Sequence, residues 1–210
     1  MENSNDILFA TVDLPLLDKA EAVEKILEVE DHFWFWDPYR STNMLPLMTK
    51  GALSGISGSK NDRNGEFYWL PYAPSIIKEW FDNYVFPWMG QPTRVMALLT
   101  KPNFKNNEHI DCNVDEIGSL QHKFRIVLKG NTDTLYFKTG NGNVSPPNTN
   151  LPFIMDGGWP HGMYNYTDDI KITIAAGASW RGNNFYNNVN VDLRKSNFKF
   201  PTDISKYLKS

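Results

Sequence analysis

Three side chains suited to holding one metal ion stand out in this chain of 210 residues: His109, Asp111 and His161. On an extended strand residues i and i+2 project from the same face, so His109-x-Asp111 presents an imidazole nitrogen and a carboxylate oxygen to one point in space. His161, further along, is the natural third ligand. Two imidazoles and one carboxylate, with coordination positions left open, are the donor set that suits a non-haem Fe(II). A His-x-Asp tripeptide also arises by accident in a chain with four histidines, so the surrounding residues have to support the reading.

Downstream of His161 the run Ile170-Lys171-Ile172-Thr173-Ile174 alternates as a strand, with Lys171 and Thr173 on one face and three isoleucines on the other. If the isoleucines meet the hydrophobic layer, Lys171 points inward. An unpaired buried ammonium costs several kcal/mol, so such a lysine calls for an anion, and the hydroxyl two residues on can share the grip on one carboxylate. Arg125 makes a parallel case, because Phe124, Ile126 and Leu128 form the apolar face of its strand and a guanidinium on the other face can pair bidentately with a carboxylate. The alternative for each cation is a solvated outer face. His122 reads as a structural or surface histidine, and Cys112, next to Asp111, points away from the ligands. Trp159, Trp180, Tyr136 and Tyr164 can line the mouth of a site or pack the core.

These residues need elements to carry them. Leu8, Phe9 and Val12 suit a short strand. Asp18 is a fair N-cap for an amphipathic helix reaching about Val29, and Pro74-Ser75 opens a second helix that Pro87 is expected to end. Between them His32 to Arg40 is the most aromatic stretch. It either packs the N-terminal segment onto the body of the protein or, through Trp36, Tyr39 or Arg40, walls a substrate groove. Residues 50–66 read as a glycine-rich loop. Beyond Pro92, Arg94 to Thr100, Lys123 to Leu128, Thr134 to Lys138 and Ile170 to Ala175 are β-prone runs separated by turn residues. Helices first and strands afterwards argue for an α+β fold, and strands filling the gap between Asp111 and His161 give the topology a jelly roll needs. One domain is expected over 1–210, with a mainly helical support over 1–92, a jelly-roll core over 93–181 and a tail over 182–210.

A formal charge of −3 gives no basic field to draw nucleic acid or an anionic membrane, and no apolar run approaches the length of a spanning helix. One cysteine and a polar first segment fit a reducing, cytoplasmic setting.

His109-x-Asp111, His161, a basic residue ten positions after His161 and a hydroxyl two beyond it resemble the pattern of Fe(II)/2-oxoglutarate-dependent oxygenases. The segment from His161 through Asn165 and Thr167 to Lys171 is most similar to the aspartyl/asparaginyl β-hydroxylase branch. It departs from that branch in having Lys171 where arginine is usual and in carrying the ligand carboxylate Asp111, which the branch commonly lacks. The resemblance covers about residues 95 to 180. It implies a double-stranded β-helix (jelly roll, cupin-like) with N-terminal supporting helices. It further implies Fe(II) on His109, Asp111 and His161, 2-oxoglutarate held by Lys171, Thr173 and Arg125, and O2 as oxidant. The expected reaction hydroxylates a carbon centre of a peptide or small-molecule substrate with release of succinate and CO2. The rival expectation is a non-catalytic cupin-like protein that binds a metal or ligand, or an interaction protein, and oxidises nothing.

Overall fold

In the computed structural model residues 6–50, 66–111, 122–177 and 188–208 are described. Cys112, Gln121, Trp180, the glycine-rich stretch 51–65 and most of the Asn-rich stretch after Trp180 lie outside them. The chain forms β1 (Ile7–Val12), α1 (Lys19–Leu27), β2 (Phe35–Asp37), β3 (Thr42–Lys50), β4 (Phe67–Trp69), α2 (Ser75–Trp80) and α3 (Phe86–Met89). It continues through β5 (Val95–Thr100), β6 (Phe104–Lys105), β7 (His122–Lys129), β8 (Leu135–Thr139), β9 (Gly142–Val144), β10 (Phe153–Asp156), β11 (His161–Asn165), β12 (Lys171–Ala176) and β13 (Val189–Arg194).

Two sheets result. The larger runs β13-β1-β10-β7-β12-β5-β3-β2, with β4 also on β3, and the smaller runs β6-β11-β8-β9. From β5 onward the chain passes back and forth between them, laying β5-β12-β7-β10 in the larger and β6-β11-β8-β9 in the smaller. That alternation is the double-stranded β-helix, and with the helices it makes an α+β fold.

Side-chain alternation places the core. Phe124, Ile126 and Leu128 of β7 and Ile172 and Ile174 of β12 join Ile26 of α1 and Ile77, Trp80 and Phe81 of the α2 region in one buried cluster, so the helices cover one face of the larger sheet. Phe9, Val127, Phe137, Phe153 and Met155 form a second cluster. Asp18 caps α1 as expected, its Oδ1 accepting from the backbone N–H of Ala20 and of Glu21 at 3.1 Å each.

Two boundaries differ from the sequence expectation. Helix continues past Pro87 to a left-handed Gly90 (φ 81°), because a π-type turn over Phe81–Val85 widens the backbone ahead of the proline. A widened turn relieves the ring's clash with the preceding carbonyl and loses little from its missing N–H. The segment before residue 93 also supplies strands: β1 lies beyond β10, and β3 and β2 extend the sheet beyond β5. β3 carries Pro46, and its pairing with β5 shifts register between Pro46 and Met48, where a residue without an N–H is tolerated. No helix among the described residues is long and apolar enough to cross a membrane.

Candidate metal centre and adjoining cavity

His109 lies just beyond β6 and pairs with His161, the first residue of β11. Their backbone N–H and C=O groups exchange hydrogen bonds of 2.9 and 3.0 Å. This pairing brings the imidazole centroids to 4.5 Å, and with Asp111 one ligand atom from each residue falls within 4.8 Å of the others. Each ring is oriented from behind, with His109 Nδ1 2.8 Å from the Asn107 carbonyl and His161 Nδ1 2.9 Å from that of Trp159. A carbonyl only accepts, so Nδ1 carries the proton in both rings and Nε2 keeps its lone pair. Both Nε2 atoms are buried and have no hydrogen-bond partner. Burial, with the Arg125 guanidinium, pushes the His161 pKa down to about 3, so its ring is neutral and ligand-ready at pH 7.

Asp111 completes the group under tight control. Its Oδ1 accepts from Arg40 Nη2 at 3.0 Å and Nε at 3.3 Å, while Oδ2 accepts from Arg125 Nη2 at 3.1 Å. Burial alone would raise this carboxyl's pKa, but Arg40 and the other positive neighbours hold it well below the usual carboxylate range. Oδ1 and Oδ2 stand 3.4 and 3.7 Å from Nε2 of His109 and of His161. A carboxylate oxygen has more than one lone pair, so an arginine N–H and a cation can share it. Two orphaned imidazole nitrogens facing one ionised carboxylate fit a divalent metal; leaving them empty costs desolvation without return.

His109 and His161 line a cavity of about 550 Å³, its solvent-open mouth included, together with Arg40, Arg125, Lys171 and Thr173. The inward face expected for Lys171 and Thr173 is the one observed, with both residues buried. Lys171 Nζ donates to the Asn131 carbonyl at 2.5 Å and to Thr134 Oγ1, and burial, aided by Arg125, brings its pKa down to about 7. Thr173 Oγ1 and Arg125 Nε are buried without partners. Asn165 and Thr167 shape the turn that leads into β12. Asn165 Nδ2 donates to the carbonyls of Lys101 and Asp169, at 3.0 and 2.7 Å, and Thr167 Oγ1 donates to Asn165 Oδ1 at 2.7 Å.

Arg40 is the residue whose place the sequence hides. The sequence puts it at most in the wall of a groove; the structure puts it on the Asp111 carboxylate itself, with Nη1 donating to Asp37 Oδ2 at 2.7 Å. The aromatic stretch divides in two, since Phe33 stacks on Tyr72 at 4.1 Å while Tyr39 lies edge-on to His109 at 5.5 Å. His122 is buried and structural, Nε2 lying 2.8 Å from the Ile7 carbonyl. Trp159 packs in the core and donates its indole N–H to Lys138 O at 2.6 Å. Tyr136 donates to Glu108 Oε1 at 3.0 Å beside the metal motif, and Tyr164 is exposed.

No protein-family model matches the chain, and no curated protein matches it in sequence. Solved structures do superpose on it. An oxidoreductase of the 2OG-Fe(II) oxygenase family from Burkholderia pseudomallei is 12% identical, covers 80% of each chain and gives a TM-score of 0.49. The viral collagen prolyl hydroxylase of Paramecium bursaria Chlorella virus-1, in its 2OG complex, is 10% identical over 80% of this chain and 93% of its own, with a TM-score of 0.48. A prolyl-4-hydroxylase from Pseudomonas putida is 11% identical over 82% of this chain and 94% of its own, at 0.44. At such identity and overlap, function has to be argued from the site.

Proposed function

We propose that the chain is an Fe(II)- and 2-oxoglutarate-dependent oxygenase that hydroxylates a carbon centre of a peptide, amino-acid-like or other small substrate, releasing succinate and CO2. One observation carries this reading: a cavity lined by His109 and His161, whose partnerless imidazole nitrogens face the Asp111 carboxylate, is also lined by a buried lysine and a partnerless threonine hydroxyl. A metal site alone has no use for the second pair, whereas a dicarboxylate co-substrate does.

His109, Asp111 and His161 would hold the metal. Fe(II) supplies, when bound, the O2 chemistry that couples decarboxylation of 2-oxoglutarate to oxidation of the substrate. The remaining work falls to the chain. Lys171 and Thr173 bind the distal carboxylate, with Lys171 taking up a proton and exchanging its internal acceptors for the incoming anion. Arg125, already on Asp111 Oδ2, has a spare buried Nε–H and the charge for a second co-substrate contact. Arg40 keeps Asp111 ionised and fixes its rotamer. Leu98, Val127, Leu135 and Phe153 give the cavity apolar walls that limit water.

A second reading, a cupin-like barrel that binds a metal or ligand and oxidises nothing, has one observation in its favour: Lys171 already has two internal acceptors. The two readings part in one experiment. Under nitrogen, Fe(II) plus 2-oxoglutarate should give a visible metal-to-ligand charge-transfer band with the wild type and none with His109→Ala. Admitting air should then yield succinate. A folded wild type with no band and no succinate would sink the oxygenase reading.

A further inference from the structure

Ile110 stands between two of the proposed ligands, and what holds it comes from outside the double-stranded β-helix. The flanking backbone is fixed within the barrel: His109 N–H donates to the His161 carbonyl at 2.9 Å and Asp111 N–H to that of Gly157 at 2.7 Å. Ile110 N–H instead donates to the Tyr207 carbonyl at 3.2 Å. The Ile110 side chain, 1% exposed, packs with that of Tyr207, 4% exposed, and Ile204 and Leu208 close around them in a cluster separate from the main core. Tyr39 joins the arrangement from another direction. Its hydroxyl lies 3.1 Å from the Ile110 carbonyl and 3.2 Å from the Tyr207 carbonyl, so its one proton is shared between them. The same residue touches His109 ring edge to ring, and its neighbour Arg40 holds Asp111 Oδ1.

The directions in which His109 and Asp111 project are set by the backbone dihedrals of residues 109–111, and Ile110 is the joint of that short lever. Without the segment Ile204–Leu208, which the buried Tyr207 side chain seats against Ile110, the Ile110 N–H would lose its acceptor, and without Tyr39 nothing in this group would tie its carbonyl to that segment. We propose that Tyr39 and the segment Ile204–Leu208 form a clamp on Ile110 that positions His109 and Asp111 and thereby sets the affinity of the metal centre. These are positioning residues; none is placed to touch the metal or a substrate. The inference rests on the reading that His109, Asp111 and His161 bind a divalent metal. Coupling between sites is reciprocal, so metal binding must also tighten the clamp.

The test uses the full chain with Co(II) as an optical probe, comparing wild type, Tyr39→Phe, Tyr207→Ala, the double variant and His109→Ala. Removing an outer partner that orients a ligand typically costs about 10–100-fold in metal affinity. Each single variant should fall in that range and shift the Co(II) absorption. The double variant should lose less than the product of the two, because both changes release the same joint. Hydrogen exchange should show Co(II) slowing amide exchange over 204–208 in wild type and not in the double variant. Tyr39→Phe removes a single oxygen and decides the matter if Tyr207→Ala does not fold. Single variants that bind Co(II) within twofold of wild type, with its spectrum, would overturn the clamp and leave the metal centre standing. A wild type that binds no better than His109→Ala would overturn the metal centre and the clamp with it.

Discussion

Lys171 concentrates the chemistry at the scale of single residues. With its pKa near 7 against an ordinary 10.5, the folded chain releases a proton that the unfolded chain keeps throughout that interval. The unfolded state then binds more protons, so the stability of the ligand-free protein should rise as pH climbs from about 7 towards 10.5, and Lys171→Met should flatten that slope in urea titrations. A dicarboxylate reverses the preference by giving the ammonium a partner. At pH 8, calorimetry in buffers of differing ionisation enthalpy should therefore show 2-oxoglutarate binding with uptake of up to about one proton, lost in Lys171→Met along with most of the affinity. Arg40 argues differently, because it is fixed by geometry as much as by charge. Lysine cannot span Asp37 and both contacts on Asp111 Oδ1, so Arg40→Lys should weaken metal binding. Arg40→Met leaves Asp37 and half of Asp111 without a cation and should cost about 3 kcal/mol of stability as well.

At the scale of elements, β12 shows most plainly what alternation can foretell. The period of two separates Ile172 and Ile174, packed under the helices, from Lys171 and Thr173, lining the cavity, and all four positions are visible in the sequence as a pattern. The two faces should respond oppositely to substitution. Ile172→Ala should destabilise the fold by about 2–5 kcal/mol in denaturant titrations, since it empties a fully buried site. Thr173→Val removes a buried hydroxyl with no partner, so it should leave stability unchanged or slightly higher while weakening 2-oxoglutarate binding. The strand β7 and the capped helix α1 were legible for the same reason, a local period with local stop signals. β3 was not: Pro46 interrupts its pattern, and a register shift that no local signal announces is what lets it pair. The helix through Pro87 is hidden likewise, because a proline reads as a stop and the π-type turn ahead of it leaves no mark in the residue spacing.

Across the whole molecule, contacts distant in sequence divide what could be read from what could not. The inward direction of Lys171, Thr173 and Arg125 was legible because each sits on a short strand whose faces alternate, whereas His109 and Asp111 lie outside any strand and are brought to His161 by a single backbone bridge. Arg40 lies 71 residues before Asp111, and the Tyr39 and Tyr207 contacts reach Ile110 from opposite directions along the chain; no period links them. The same arrangement makes the last prediction a property of the assembled fold. If metal and 2-oxoglutarate meet in one cavity, with the lysine end formed by β12 and the metal end by β11 and the His109 motif, the co-substrate gains a contact when the metal is present, so each binds the native state more tightly beside the other. At 100 times its Kd a ligand that binds only the folded state adds about 2.7 kcal/mol. For a chain of this size that corresponds to roughly 5–10 °C in Tm. Anaerobic melts with Mn(II) in place of Fe(II) should show that rise, and a fixed concentration of 2-oxoglutarate should add a larger increment with Mn(II) present than without it. Equal increments would mean that the co-substrate is held by Lys171 and Thr173 alone. The metal would then have no part in seating it, and the shared-cavity geometry would not be what couples the two.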